Sequence, residues 1–319
     1  MKIKQMTTYK KSQRAPSYFF ILAMLGSVCV PSFANLSHLP KKNTQKSTRS
    51  EDNKARSVST QKKHATNNIG LRARAALVMD KATGKVLYEQ KANEVLPIAS
   101  ITKLMMALVV VESKIKLDKK IRIADDDLRA TMQLPSRLPK NSLLTREEML
   151  RLALMSSENR AASALARTYP GGRARFIKQM NLRAKSLGMT RSRFIDATGL
   201  RNGNLSTSRD LVKLVIAAAK NPLIKKFSTL KSRTIRTGKY IIPYANSNKL
   251  VRDDSWNITL QKTGTTRKAG RCVIMLTKIS GRPVIMVLLQ SRGKLGRVKD
   301  AQRLRSWIEL QSPVRGRQT

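Results

Sequence analysis

The chain has 319 residues, a formal net charge of +45 and 4% aromatic residues. Such an excess of cations calls for an anionic partner, but few rings are present to stack on bases, which argues against nucleic acid. The only histidines, His38 and His64, lie in a polar N-terminal stretch, so the packed part of the chain can build neither a Ser-His-Asp triad nor a catalytic zinc site, and no metal or other cofactor is expected.

Residues 1–34 read as a signal peptide. Lys2, Lys4, Lys10, Lys11 and Arg14 precede an apolar run over 18–30, and Ser32 and Ala34 supply the small residues a signal peptidase reads. The run is shorter than the ~20 residues of a spanning helix. Export places the mature chain in the periplasm, away from nucleic acid. Cys272 is then its one cysteine, in a run that reads as a buried strand, so no internal disulfide forms. Residues 35–70 are rich in Lys, Ser, Thr, Asn and Gln and nearly free of aliphatic side chains. They are expected to form a basic disordered linker, suited to lie against an anionic envelope surface.

The folded domain is expected over 71–312, with a disordered tail at 313–319. Residues 75–80 and 85–88 flank a turn containing Gly84 and read as a β-hairpin. Beyond Pro97 the pattern turns helical. Ile101, Leu104, Met105, Leu108, Val109 and Val111 cover most of the circumference, which predicts a buried central helix with Ser100 on its first turn. Thr145 and Glu148 form a capping box for a helix ending near Met155. Another helix begins around Glu158, so Ser157 and Asn159 fall at a helix–helix junction. An amphipathic helix is expected over 176–187, a loop over 196–203 and a further helix over 209–220. Strands return at 259–265, 271–278 and 283–290, and 295–310 closes as a helix. The predicted fold is α+β, an antiparallel sheet packed with helices plus a helical subdomain.

Three short motifs stand in order: Ser100-Ile101-Thr102-Lys103, Ser157-Glu158-Asn159 and Lys262-Thr263-Gly264. Taken singly they are weak. S-x-x-K starts at five serines and S-x-N at two, and only K-T-G is unique. Each also has a plain structural reading, as a helix cap, a snorkelling lysine or a turn. Their order and the export signal outweigh those readings. Ser100 and Lys103 share a helix face. A free lysine, with a pKa of about 10.4, is a poor base near neutrality, but burial or a second cation such as Lys262 lowers that value. Ser157 is placed to relay a proton to a leaving amine and Asn159 to bond a substrate amide. Lys262 and Thr263 offer a cation and a hydroxyl to a substrate carboxylate, and Gly264 lets a substrate backbone approach.

These motifs resemble those of the serine penicillin-recognising enzymes. The closest likeness is to the low-molecular-mass D-alanyl-D-alanine carboxypeptidases and endopeptidases. It covers about residues 70–311 and extends to Pro97-Ile98-Ala99 before Ser100, Ser156 to Ala162, and Ala197-Thr198-Gly199-Leu200. The Ser-Ser-Glu-Asn-Arg segment resembles the periplasmic endopeptidases of the penicillin-binding protein 7 type, where carboxypeptidases carry Ser-Gly-Asn. The resemblance implies a serine β-lactamase/transpeptidase-like fold and a peptidoglycan peptide as substrate. It also implies Ser100 as nucleophile, Lys103 as its base, an oxyanion hole from the Ser100 and Thr265 N–H groups, and β-lactam antibiotics as covalent inhibitors. Endopeptidase action on D-alanyl cross-links to diaminopimelate is the leading reading. The chain leaves no room beyond 310 for the second β-domain and amphipathic anchor common in the carboxypeptidases. D-Ala-D-Ala carboxypeptidase is the alternative. A β-lactamase, for which no E-x-x-L-N motif is present, and a non-catalytic wall-binding protein are the remaining ones.

Overall fold

The structure, a computed structural model, describes residues 69–132 and 134–311. The segments expected as signal peptide and C-terminal tail, and nearly all of the expected linker, lie outside the described residues. Among those residues, no helix is long and apolar enough to cross a membrane.

The chain opens with strands β1 (Ala75–Asp80), β2 (Val86–Gln90) and β3 (Leu96–Pro97). Asp80 Oδ1 accepts from the N–H groups of Ala82 and Thr83 and closes the first turn. Helix α1 (Thr102–Glu112) follows, then β4 (Lys120–Arg122), α2 (Asp125–Ala130), β5 (Leu143–Thr145), α3 (Arg146–Met155), α4 (Asn159–Arg167) and α5 (Gly172–Ser186). Thr145 and Glu148 cap α3 reciprocally, as their spacing predicts. Next come β6 (Leu205–Ser206), α6 (Ser208–Ala218), α7 (Pro222–Thr229) and the hairpin β7 (Ser232–Thr237) and β8 (Tyr240–Ala245). The chain closes with β9 (Asn257–Thr266), β10 (Gly270–Ile279), β11 (Arg282–Ser291) and α8 (Gly296–Leu310).

Five strands form one antiparallel sheet in the order β2-β1-β11-β10-β9. Ser280 and Gly281, both at positive φ, join β10 to β11, the backbone of a tight turn that matches strand twist. Alternate side chains point to opposite faces, and both faces are covered. Leu77, Cys272, Ile274, Ile285 and Val287 pack against the helical block that contains α1. Val78, Val273, Met275, Val284 and Met286 pack with Ala301, Leu304 and Ile308 of α8 and with Trp256. Double burial explains why β10 and β11 read as near-continuous apolar runs.

Helix α1 is buried from Thr102 through Val110, which answers to its apolar circumference. Two expectations need adjustment. Helix α5 starts at Gly172 rather than Phe176, because Gly171, at φ +81, supplies the left-handed entry that ends the preceding turn. The stretch between α6 and β9, which the sequence reading left without elements, folds into α7 and the β7–β8 hairpin. Asn221 caps α7 through Leu223 N and Ile224 N, and Pro222 occupies its first position.

One buried carboxylate ties the helical block together. Asp127 of α2 is fully buried. It accepts from Ala124 N at 3.0 Å, Ser163 Oγ at 2.9 Å and the Arg167 guanidinium at 2.8–3.1 Å, with Arg173 at 3.4 Å. Removing one partner of a buried charge network leaves the others uncompensated. Asp127→Ala is expected to lower unfolding stability by roughly 3–5 kcal/mol, read as a drop in the urea midpoint of the whole chain.

Candidate active site

Ser100 occupies a 3-10 turn, Ala99–Ile101, that feeds into α1. The helix itself starts at Thr102, so Ser100 precedes it rather than sitting in its first turn. Ala99 at φ +47 bends the chain there, and Thr102 Oγ1 donates to the Ala99 carbonyl at 2.7 Å. Two glycines make room for this bend. A Cβ on Gly199, itself at φ +82, would lie 1.9 Å from the Ala99 carbonyl oxygen. A Cβ on Gly264 would lie 2.7 Å from the Ile98 oxygen and 3.1 Å from the Ser100 nitrogen. The sequence reading gave Gly264 the task of admitting a substrate backbone. The backbone that comes close to it is the chain's own, at residues 98–100. The glycine therefore seats the serine turn against β9.

Lys103, the second residue of α1, is fully buried. Its Nζ lies 2.9 Å from Ser100 Oγ, 2.8 Å from Asn159 Oδ1 and 2.7 Å from the Thr198 carbonyl. Burial lowers its pKa to about 7, against an opposing pull from Asp196 and then Glu158. The three contacts match the three hydrogens of an ammonium. A neutral amine has only two, and Asn159 Oδ1 and the Thr198 carbonyl can only accept. The lone pair of the neutral form is therefore left facing Ser100, whose hydroxyl can turn to donate to it.

Asp196 holds the Thr198 carbonyl in place. Its Oδ1 accepts from Thr198 N and Thr198 Oγ1, both at 2.6 Å, and from Gly199 N at 2.7 Å. Its Oδ2 accepts from Arg201 N and Asn204 Nδ2, each at 3.1 Å. Residues 196–200 thus form a loop wound round one carboxylate, with the Thr198 oxygen aimed at the lysine.

Ser157 sits between α3 and α4 at φ +64. A left-handed serine costs on the order of 1–3 kcal/mol, and such strain gathers at functional sites. Its hydroxyl makes no hydrogen bond among the described residues. Glu158 caps α4, its Oε1 accepting from Arg160 N at 3.1 Å and from Ser136 Oγ at 2.7 Å. Asn159 opens α4, which aims its amide oxygen at Lys103.

Lys262, Thr263, Gly264 and Thr265 lie on β9, the outer strand of the sheet. Helix α7 covers the first half of that edge through Gln261, whose Nε2 donates to the Ser228 carbonyl at 2.7 Å. Lys262 is fully buried, and its Nζ donates to the Thr263 carbonyl at 2.9 Å. Its pKa falls well below the ordinary lysine value, first through burial, then through Lys103 and Arg297. The two lysines therefore discourage each other from carrying protons together. Of the two causes the sequence suggests for Lys103, burial and a second cation, burial is the dominant one. Thr263 Oγ1 shares a hydrogen bond with Ser247 Oγ at 2.7 Å, and Thr265 Oγ1 donates to the Gly264 carbonyl at 2.7 Å.

Arg297 was not anticipated from sequence. It reaches from α8 to Thr265 Oγ1 at 2.9 Å and the Gly264 carbonyl at 3.1 Å. It pairs with no carboxylate among the described residues. Asp196, Ser247 and the Thr198 carbonyl were missed as well. The one available signal was the Ala197-Thr198-Gly199-Leu200 run, to which no role had been attached. Cys272 is buried on β10, and burial pushes its thiol up to about 11, which leaves it inert.

The family model of D-alanyl-D-alanine carboxypeptidase, peptidase S11, matches residues 60–293. The chain belongs to that family. It is 47% identical over 237 residues to the D-alanyl-D-alanine endopeptidase of Escherichia coli K12, covering 74% of this chain and 76% of that one. It is 46% identical, with the same coverage, to the D-alanyl-D-alanine endopeptidase of Pseudomonas aeruginosa. Among solved structures, the Streptomyces K15 DD-transpeptidase matches with a TM-score of 0.69 at 27% identity, over 74% of this chain and 97% of that one. Penicillin-binding protein D2 of Listeria monocytogenes, in its ampicillin-bound form, matches with a TM-score of 0.63 at 30% identity, over 74% and 96%. The fold is the DD-transpeptidase fold.

Gly199 gives a direct check on this geometry. Gly199→Ala forces a Cβ into the Ala99 carbonyl. Its acylation by fluorescent penicillin is expected to fall at least about tenfold, with a lowered melting temperature, since the strain alone is worth on the order of 1–3 kcal/mol. A variant with parental acylation and melting temperature would show that the Ser100 turn does not need this contact.

Proposed function

We propose that the protein is a periplasmic serine DD-peptidase that opens D-alanyl cross-links in peptidoglycan through an acyl-enzyme. The observation that carries this reading is the buried Lys103 amine, 2.9 Å from Ser100 Oγ and titrating at about 7. Such an amine is a competent base near neutral pH.

The steps are those the family resemblance implies, and the contacts of Lys103 with Ser100 and Asn159 support them. Ser100 Oγ attacks the carbonyl carbon of a D-alanyl residue while its proton passes to Lys103 Nζ. The N–H groups of Ser100 and Thr265 stabilise the oxyanion. Lys103 returns that proton through Ser157 Oγ to the departing nitrogen, the C–N bond breaks, and an ester remains on Ser100 with the Lys103 amine neutral again. Water then gives a proton to Lys103 as it attacks the ester carbonyl, and Lys103 hands that proton to Ser100 Oγ as the ester bond breaks, which restores the serine. The β9 edge beyond Gln261 takes the extended substrate as an added strand, and Asn159 bonds a substrate amide. Thr263, Lys262 and Arg297 face a substrate carboxylate. That anion favours the ammonium form of Lys262, which the empty site discourages.

The folded catalytic unit spans 71–312, behind a signal peptide and a basic linker. The linker is suited to hold the enzyme near the anionic envelope. β-Lactams acylate Ser100 and stay attached, in keeping with the ampicillin-bound Listeria relative. The names of the two most similar bacterial relatives described above support endopeptidase over carboxypeptidase action.

Lys103 is active when neutral, so the acylation rate should climb about tenfold per pH unit below the midpoint and level off above about 7. Penicillin labelling across pH 5–9 reads this profile. A plateau reached only near the ordinary lysine value would rule out Lys103 as the base. Lys103→Met should acylate roughly 10²–10⁴-fold more slowly. Digestion of purified murein should remove cross-linked dimers. Trimming of pentapeptides with dimers left intact would assign carboxypeptidase action instead.

A further inference from the structure

A cavity of about 340 Å³ adjoins Ser157 and Asn159, and its wall also includes Ser136, Arg137, Glu158 and Tyr244. None of these last four has a place in the reaction steps. Glu158 fastens the wall: its Oε1 accepts from Ser136 Oγ at 2.7 Å, which pins the segment that carries Arg137. The Arg137 guanidinium stacks on the Tyr244 ring at 4.3 Å and donates to the Pro243 carbonyl. Arg137 is exposed and forms no ion pair among the described residues. Tyr244 is 3% exposed, and its buried hydroxyl meets no acceptor at hydrogen-bond geometry. Burial, and then the nearby Glu158 carboxylate, keep that hydroxyl protonated. The carboxylate facing the Tyr244 hydroxyl is that of Glu158, outside good hydrogen-bond geometry. This buried donor and the unpaired Arg137 cation line one hollow, beside Ser157. Both call for an anionic oxygen.

We propose that this cavity is the subsite for the departing peptide strand, with Arg137 and the Tyr244 hydroxyl binding a carboxylate of that strand and Glu158 acting as a positioning residue through Ser136. The inference rests on the peptidase reading and adds a leaving-group site to it. A cross-linked diamino acid carries a peptide beyond the scissile nitrogen, and the cavity gives that peptide a place. A terminal D-alanine carries none, and a β-lactam releases no peptide.

The test uses the full-length protein, on the alkaline side of the Lys103 midpoint, with a cross-linked muropeptide dimer, a pentapeptide monomer and fluorescent penicillin as probes. Arg137→Ala and Tyr244→Phe should each lower kcat/KM on the dimer by at least about tenfold more than they lower penicillin acylation, the scale of one lost charge-assisted hydrogen bond. Glu158→Ala should behave in the same way. Glu158→Gln keeps an oxygen for Ser136 Oγ and should restore dimer cleavage, which a general loss of folding would not allow. Equal losses on dimer and penicillin, or parental dimer cleavage in Arg137→Ala and Tyr244→Phe, would overturn the subsite. If the parent trims pentapeptide and leaves dimers intact, the endopeptidase reading fails first and the proposed occupant fails with it.

Discussion

The site depends on one buried amine. Lys103 lies on a helix that is apolar all round, so its charged form loses water on every side. Three oxygens surround it, and two of them can only accept. Desolvation sets the amine near neutrality, and the fixed acceptors decide where its lone pair points. Neither effect is sufficient alone. A desolvated lysine without the acceptors would have no preferred direction, and acceptors around an exposed lysine would hold a permanent ammonium.

The fold serves that arrangement from four directions. The central helix supplies Lys103, and the turn before it supplies Ser100. The α3–α4 junction supplies Asn159, held by the Asp127 network that joins α2 to α4. The loop wound round Asp196 supplies the Thr198 carbonyl. Strand β9 then closes the site from the sheet side, where Gly264 lets it come against the Ser100 backbone. The proximity of Lys262 ensures that the two lysines do not both hold protons easily, so a substrate anion can redistribute charge between them.

Much of this was legible in the sequence, for identifiable reasons. The helix around Lys103 announced its burial through apolar residues on every face. The β10–β11 hairpin showed in two apolar runs around Ser280-Gly281, and the Thr145–Glu148 cap fixed the start of α3. The K-T-G strand and the α3–α4 junction fell where expected. What stayed hidden was whatever acts through the backbone or across long separations. The Thr198 oxygen belongs to a main chain that any residue could supply. Arg297 reaches β9 from a helix more than thirty positions away, and no local pattern marks it among the many arginines. The contact of Gly264 with residues 98–100 was hidden as well, because a glycine reports only that something approaches and not which backbone does so. Helix α7 and the β7–β8 hairpin, short and half exposed, lack the periodicity that betrays longer elements.

The account stands on the protonation of Lys103, and NMR reads it directly. In protein labelled with ¹³C at lysine Cε, the resonance missing from Lys103→Arg should be followed from acid to alkali. A midpoint at about 7 is the expected result. A midpoint near 10.5, the ordinary lysine value, would mean that the amine stays charged beside Ser100 and cannot be what takes its proton.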